Sequence, residues 1–227
     1  MSFCISVIYN FGKVKKRMGI KGMKVLMING SPRVGSNTSI ALDTVKQGLV
    51  ANGIEVVEFD VIGKTIAGCR ACGACYKSGK CAIDDCVNEL APVFEECDGL
   101  IVASPVYYAS ANGTLVSLLD RLFYSTNFDK RFKVGASIAI ARRGGIETTF
   151  DQLNKYFTIA GMPVVSSTYW NGVYGRKVGE ASQDAEGLQT MQNLANNMAF
   201  MIKAIALGKK EYGLPEKVSG AHTNFIR

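Results

Sequence analysis

An open α/β sandwich, a parallel sheet with helices on both faces, is what this chain predicts, and three observations predict it. Five near-continuous apolar, β-rich runs alternate with helical patterns along the sequence; strands buried on both faces read in that way. The first run leads through a loop rich in Gly, Ser and Thr straight into a helix. At 227 residues the chain is long enough for one such domain with a full core.

The predicted strands are Lys24–Asn29, Ile54–Phe59, Gly99–Ser104, Lys133–Ala141 and Pro163–Tyr169. Helical periodicity falls between them at Thr38–Ala51, Val87–Glu96, Gly113–Ser125 and Glu147–Ala160. A last helix spans Gln183–Leu207, with Leu188, Met191, Leu194, Met198, Ile202 and Ile205 three or four apart on one face. Its methionines read as core filler. Asn52-Gly53 and Gly208 read as helix stops. Right-handed crossovers leave few topologies, of which we take the order 2-1-3-4-5. The predicted organisation is an N-terminal extension over 1–22, one domain over 23–208 with a cysteine-rich loop at 68–81, and a polar C-terminal tail over 209–227, a candidate subunit contact through Phe225 and Ile226.

In an open sheet of this order ligands sit beyond the carboxyl ends of the strands at the switch point. The loops after strands 1, 3 and 4 should therefore form one pocket. The first begins like a nucleoside-triphosphate loop, Gly30 and then Gly35 after four residues, but continues Ser36-Asn37 where Lys-Ser/Thr would be needed. The dinucleotide glycine fingerprint is also missing. Ser31, Arg33, Ser36, Asn37 and Thr38 suit one monophosphate held at a helix N-terminus without magnesium. A plain helix cap needs one such residue, and this loop supplies several.

The second loop runs Ser104-Pro105-Val106-Tyr107-Tyr108-Ala109-Ser110-Ala111-Asn112-Gly113-Thr114. Pro105 ends the strand, small residues let backbone approach a flat ligand, and the tyrosines offer ring faces. The third is Arg142-Arg143-Gly144-Gly145 after strand 4. Its glycines free backbone N–H groups, and a guanidinium there favours negative charge on a bound group. No acid–base constellation is visible. The single histidine, His222, lies in the tail, which excludes a histidine triad on the sheet.

Cys69, Cys72, Cys75 and Cys81 follow strand 2 with two, two and five residues between them, among Gly68, Gly73 and Gly79. Three thiolates at two-residue gaps can wrap one compact inorganic centre that a fourth closes. Structural zinc sites usually divide their ligands into two distant pairs, and this run is undivided. An iron–sulfur cluster, bare redox thiols and zinc remain the three readings of these residues. Cys86 and Cys97 fall in or beside a helix, Cys4 in the extension, and all three read as plain thiols.

The net charge of +7 is no argument for a nucleic-acid partner. Lys13, Lys15, Lys16, Arg17, Lys21 and Lys24 stand in the first 24 residues without an acid, which leaves +1 for the rest. In the extension the charges follow the apolar residues, the reverse of a secretory signal. No apolar run reaches spanning length. We expect a cytoplasmic protein with no membrane partner, whose seven cysteines serve metal or redox chemistry rather than a disulfide frame.

The three loops, with SPVYY and NGTL in the second, resemble those of the flavodoxin-like NADPH-dependent FMN reductase family, and the resemblance covers nearly the whole chain from Met23. It implies the flavodoxin-like three-layer form of the sandwich. It also implies FMN, with the phosphate on Ser31, Arg33, Ser36, Asn37 and Thr38 and the ring on Pro105, Val106, Tyr107, Tyr108, Asn112, Gly113 and Arg142 to Gly145. The cysteine run resembles the compact motif of the iron–sulfur flavoprotein branch, which implies that Cys69, Cys72, Cys75 and Cys81 hold a 4Fe-4S cluster. The implied activity is FMN-dependent electron transfer from NAD(P)H, or from a reduced carrier, to a small-molecule or redox-protein acceptor, by a homodimer or homotetramer. The rivals are a cluster-free flavin, quinone or nitro-compound reductase, a non-catalytic redox or metal sensor, and a phosphate-binding hydrolase.

Overall fold

A computed structural model of the chain describes residues 22–221, 223 and 225. The extension, Gly22 apart, and Cys4, His222 and Ile226 lie outside the described residues. Strands β1 (Lys24–Asn29), β2 (Glu55–Asp60), β3 (Gly99–Pro105), β4 (Val134–Ala141) and β5 (Gly172–Tyr174) form one parallel sheet in the order β2-β1-β3-β4-β5. This is the expected topology.

Alternation along the strands builds the two cores. Val25, Met27, Ile101 and Ala103 face helices α1 (Asn37–Ala51) and α6 (Ala185–Tyr212), where they pack with Val45, Leu49, Met191, Leu194 and Met198. Leu26, Ile28, Leu100 and Val102 face the other way, against α3 (Cys86–Glu96), α4 (Gly113–Ser125) and α5 (Ile146–Ile159). A single turn, α2 (Cys75–Ser78), stands in the cysteine loop. Among the described residues no helix is long and apolar enough to cross a membrane.

Two expectations are corrected. The last strand is not Pro163–Tyr169. Val164 makes one parallel bridge to Gly135, and pairing resumes only where Gly172 meets Ala139. Eight residues on one strand thus span four on the other. The excess bulges out as 166–171, closed by Asn171, whose side chain donates to the Ser137 carbonyl at 3.0 Å. The bulge displays the exposed pair Tyr169 and Trp170, whose rings meet at a tilt of 59°. The last helix, for its part, runs through Gly208 and stops at Tyr212. Gly208 keeps helical geometry, whereas Gly213 takes a φ of 75° and ends it.

Candidate functional site

The loop after β1 is folded by its own side chains. Asn29 Oδ1 accepts from Ser31 N at 2.9 Å, and Ser31 Oγ accepts from Arg33 N at 3.2 Å. Ser36 caps α1, its hydroxyl accepting from Ser39 N at 3.2 Å. Ser31, Ser36 and Thr38 are buried, while Arg33 is exposed. The amides of Asn37 and Thr38, in the first turn, have no acceptor inside the helix. No acid stands in that turn, so the positive end of a 15-residue helix is left uncompensated. That combination suits an anion.

The Asn37 side chain has another task. Its amide donates to the Lys177 carbonyl at 2.9 Å, and its oxygen accepts from Ala181 N at 3.1 Å. What Asn37 can offer an anion is therefore its backbone N–H. The tether brings in a fourth segment, the turn after β5, which the sequence reading leaves out. Gly175-Arg176-Lys177 carries the usual glycine and cations of a strand-end loop, but a strand placed at Pro163–Tyr169 hides that position. Asn37→Ala should remove both bonds at a cost of about 1–3 kcal/mol. Amides of 175–183 should then exchange faster, and FMN should bind more weakly in a fluorescence titration.

The second loop is a tight turn. Tyr107 and Ser110 exchange backbone hydrogen bonds of 2.9 and 3.2 Å. Tyr108 at its tip has a φ of 59° and a fully exposed ring; a bulky residue in the left-handed region is a genuine outlier. Ser104 Oγ accepts from Asn112 N at 2.8 Å. Asn112 Oδ1 caps α4, accepting from Thr114 N at 2.9 Å and Leu115 N at 3.2 Å. Asn112 thus shapes the loop and starts the helix at Gly113. Gln152 of α5, absent from the sequence reading, accepts from Ser110 Oγ and Ala111 N, each at 2.9 Å.

The third loop touches the second. Gly145 caps α5 with a φ of 91°, and a Cβ there would lie 2.7 Å from Val106 Cγ1 and 3.2 Å from the Tyr108 carbonyl oxygen. Arg142 and Arg143 are exposed. Among the described residues neither they nor Arg33 makes an ion pair. The strand ends are tied across: Gly30 N donates to Ala103 O, Val106 N to Ile140 O and Gly175 N to Ala141 O. An uncompensated helix N-terminus, two contacting small-residue loops and unpaired guanidinium groups, all at the carboxyl edge, fit a flat anionic group with a phosphate tail.

The cysteine loop lies along α4. Cys69 and Cys72 are exposed, Cys75 and Cys81 half-buried, and all four line a cavity of about 1210 Å³. Among the described residues no three potential ligands are gathered as a metal site. The donor set, four thiols without a carboxylate or imidazole among them, fits a thiolate-bound iron–sulfur centre in its chemistry. By contrast Cys97 is buried, and burial pushes its thiol up to about 12. Burial also raises the thiol of Cys86.

Arg121, unremarked in the sequence, holds this loop. Its side chain is 1% exposed. Nη1 and Nη2 grip the two oxygens of Asp85 at 2.7 and 2.8 Å, and further bonds reach the carbonyls of Ala67 (3.3 Å) and Ile83 (3.0 Å). Nε donates to Cys81 Sγ at 3.3 Å. Burial works against the Asp85 charge, but the guanidinium and the Val87 amide outweigh it and hold the carboxyl below its ordinary range. Asn88 adds bonds to Cys81 N and to the Cys81 and Ile83 carbonyls.

The model of one protein family, NADPH-dependent FMN reductase, matches residues 23–177. An iron–sulfur flavoprotein of Methanocaldococcus jannaschii is 35% identical over 191 residues, which cover 81% of this chain and 99% of that protein. An iron–sulfur flavoprotein of Methanosarcina thermophila is 33% identical over 81% of this chain and 97% of its own. Among solved structures, RosB with the bound intermediate 8-demethyl-8-formylriboflavin-5'-phosphate superposes with a TM-score of 0.65 at 16% identity, over 90% of this chain and 92% of that one. A flavodoxin from the domain Archaea gives 0.55 at 14% identity, over 80% and 99%. At those identities the structures speak for the fold alone.

Proposed function

Since this chain belongs to the NADPH-dependent FMN reductase family, in its iron–sulfur flavoprotein branch, we propose that it is the oxidoreductase that such membership implies: it binds FMN at the carboxyl edge of the sheet and passes electrons from NAD(P)H, or from a reduced carrier, through that site and a cysteine-held cluster to an acceptor. The observation that carries the reading is the close packing of Gly145 against Val106 and Tyr108, at the same carboxyl edge of the sheet as the acid-free first turn of α1.

Bound FMN supplies hydride acceptance and release of electrons singly or in pairs. The chain's own residues bind and orient. Ser31 Oγ and the first-turn amides of α1 take the phosphate, with Arg33 at the rim. The 105–108 turn and the Gly144-Gly145 backbone shape the place of the ring, and Arg142 and Arg143 favour negative charge on it. No side chain is required as nucleophile. Along α4, Arg121 lies roughly 12 Å from Gly113 by helical rise, so the cysteine loop and the ring loops share one rigid element.

A second reading, a cluster-free reductase of flavins, quinones or nitro compounds, is favoured by the ungathered thiols. One measurement separates the two. Protein purified without oxygen should be yellow-brown, lose both colours on reduction, and contain iron and acid-labile sulfide at about one cluster per chain. Yellow protein without sulfide supports the cluster-free reductase. Colourless protein that takes up no FMN defeats both.

A further inference from the structure

Arg121 is a buried cation that binding of FMN does not use. Five hydrogen bonds account for its N–H groups, and four of them end on backbone or on Asp85. The fifth, from Nε, ends on the sulfur of Cys81. The bonds to Ala67 and Ile83 close the loop on both sides of the cysteine run, so the guanidinium stands where the two limbs meet. Cys81 is separated by five residues from the compact Cys69–Cys75 triplet, and its loop limb is tied by Arg121 and Asn88.

We propose that Arg121 is a positioning residue for the fourth thiolate: it fixes Cys81 Sγ through Nε, is itself fixed by Asp85, and by donating to that sulfur favours the reduced form of the iron–sulfur centre. The inference rests on the cluster reading of the cysteine loop and goes beyond it. A donor on a ligand sulfur stabilises added negative charge, and hydrogen bonds to sulfur are among the factors that set cluster potentials. A lysine keeps the charge for Asp85 but has no Nε fork with which to hold carboxylate, carbonyls and sulfur together.

The test uses the full chain, prepared anaerobically, as native protein, R121K and D85N. In R121K the cluster's reduced-to-oxidised ratio at a fixed potential should fall roughly tenfold, a shift of about 59 mV to lower potential for a one-electron couple, while the flavin spectrum stays native. Iron release to a chelator should be severalfold faster in both variants. A native cluster with R121K unchanged in both potential and iron release overturns the role of Arg121 and leaves the cluster standing. Native protein without iron and sulfide overturns the cluster reading, and this inference with it. If R121K does not fold, D85N decides alone: iron release no faster than native overturns the proposal.

Discussion

Gly145→Val is expected to give a folded protein without flavin. Two effects act at one position. The backbone holds a φ of 91°, which costs a side-chain-bearing residue about 1–2 kcal/mol and a β-branched one more. The new Cβ would sit 2.7 Å from Val106 Cγ1, inside contact distance, and 3.2 Å from the Tyr108 carbonyl. Relief requires the third loop to move off the second, which opens the surface proposed to shape the ring site. We expect FMN affinity to fall at least roughly 100-fold, about 2.7 kcal/mol, read by flavin fluorescence on titration into protein stripped of cofactor. The sheet and its two cores lie away from the change, so cooperative unfolding should persist. Gly144→Ala is the control: nothing stands within 4 Å of its Cβ position, and near-native binding is expected. A yellow Gly145→Val protein with a full flavin content would remove these loops from the ring site.

Arg121→Met should cost about 3 kcal/mol, because it strips Asp85, two carbonyls and a sulfur of their donor at once. For a domain of this size that is a fall of roughly 6–12 °C in the unfolding midpoint. The double variant Arg121→Met with Asp85→Leu should recover part of it, since the larger share of the loss is a carboxylate left without its partner. The pair also fixes a pH dependence. Asp85 titrates lower folded than unfolded. Its contribution is complete above the ordinary aspartate value near 3.8 and is lost as pH falls through the depressed folded value. Urea midpoints between pH 5 and pH 2 should therefore fall less steeply in Arg121→Met than in the native chain. Parallel slopes would show that the pair contributes no such stability.

Apolar runs and glycine-rich strand ends made most of this molecule legible. The order of the sheet and four of five strands follow from patterns with a local cause: alternation, caps, and helix starts after small residues; of the three loops, the second and third touch. What sequence did not disclose depends on partners far along the chain. Val164 and Val165 have strand chemistry and do begin to pair, but Gly172 to Tyr174 compete for the same β4 neighbour, and register across a bulge leaves no local mark. The side chain of Asn37 reads as an anion ligand until Lys177 and Ala181, some 140 positions on, take both of its polar atoms. Arg121 reads as an ordinary helix cation, and only the return of the cysteine loop buries it. The cysteines were legible as a set, but among the described residues no three of them are gathered as a metal site.

The sheet's two margins carry a last consequence. On one side β5 offers only three residues of ladder. On the other, β2 bears Glu55, Glu58 and Asp60, with Lys24 and Lys46 paired to the two glutamates. A foreign strand thus meets either too short a seam or a fringe of carboxylates, which discourages edge-to-edge growth. Copies of this chain that associate are therefore expected to meet through outer helices and turns rather than through a continuous β-ladder.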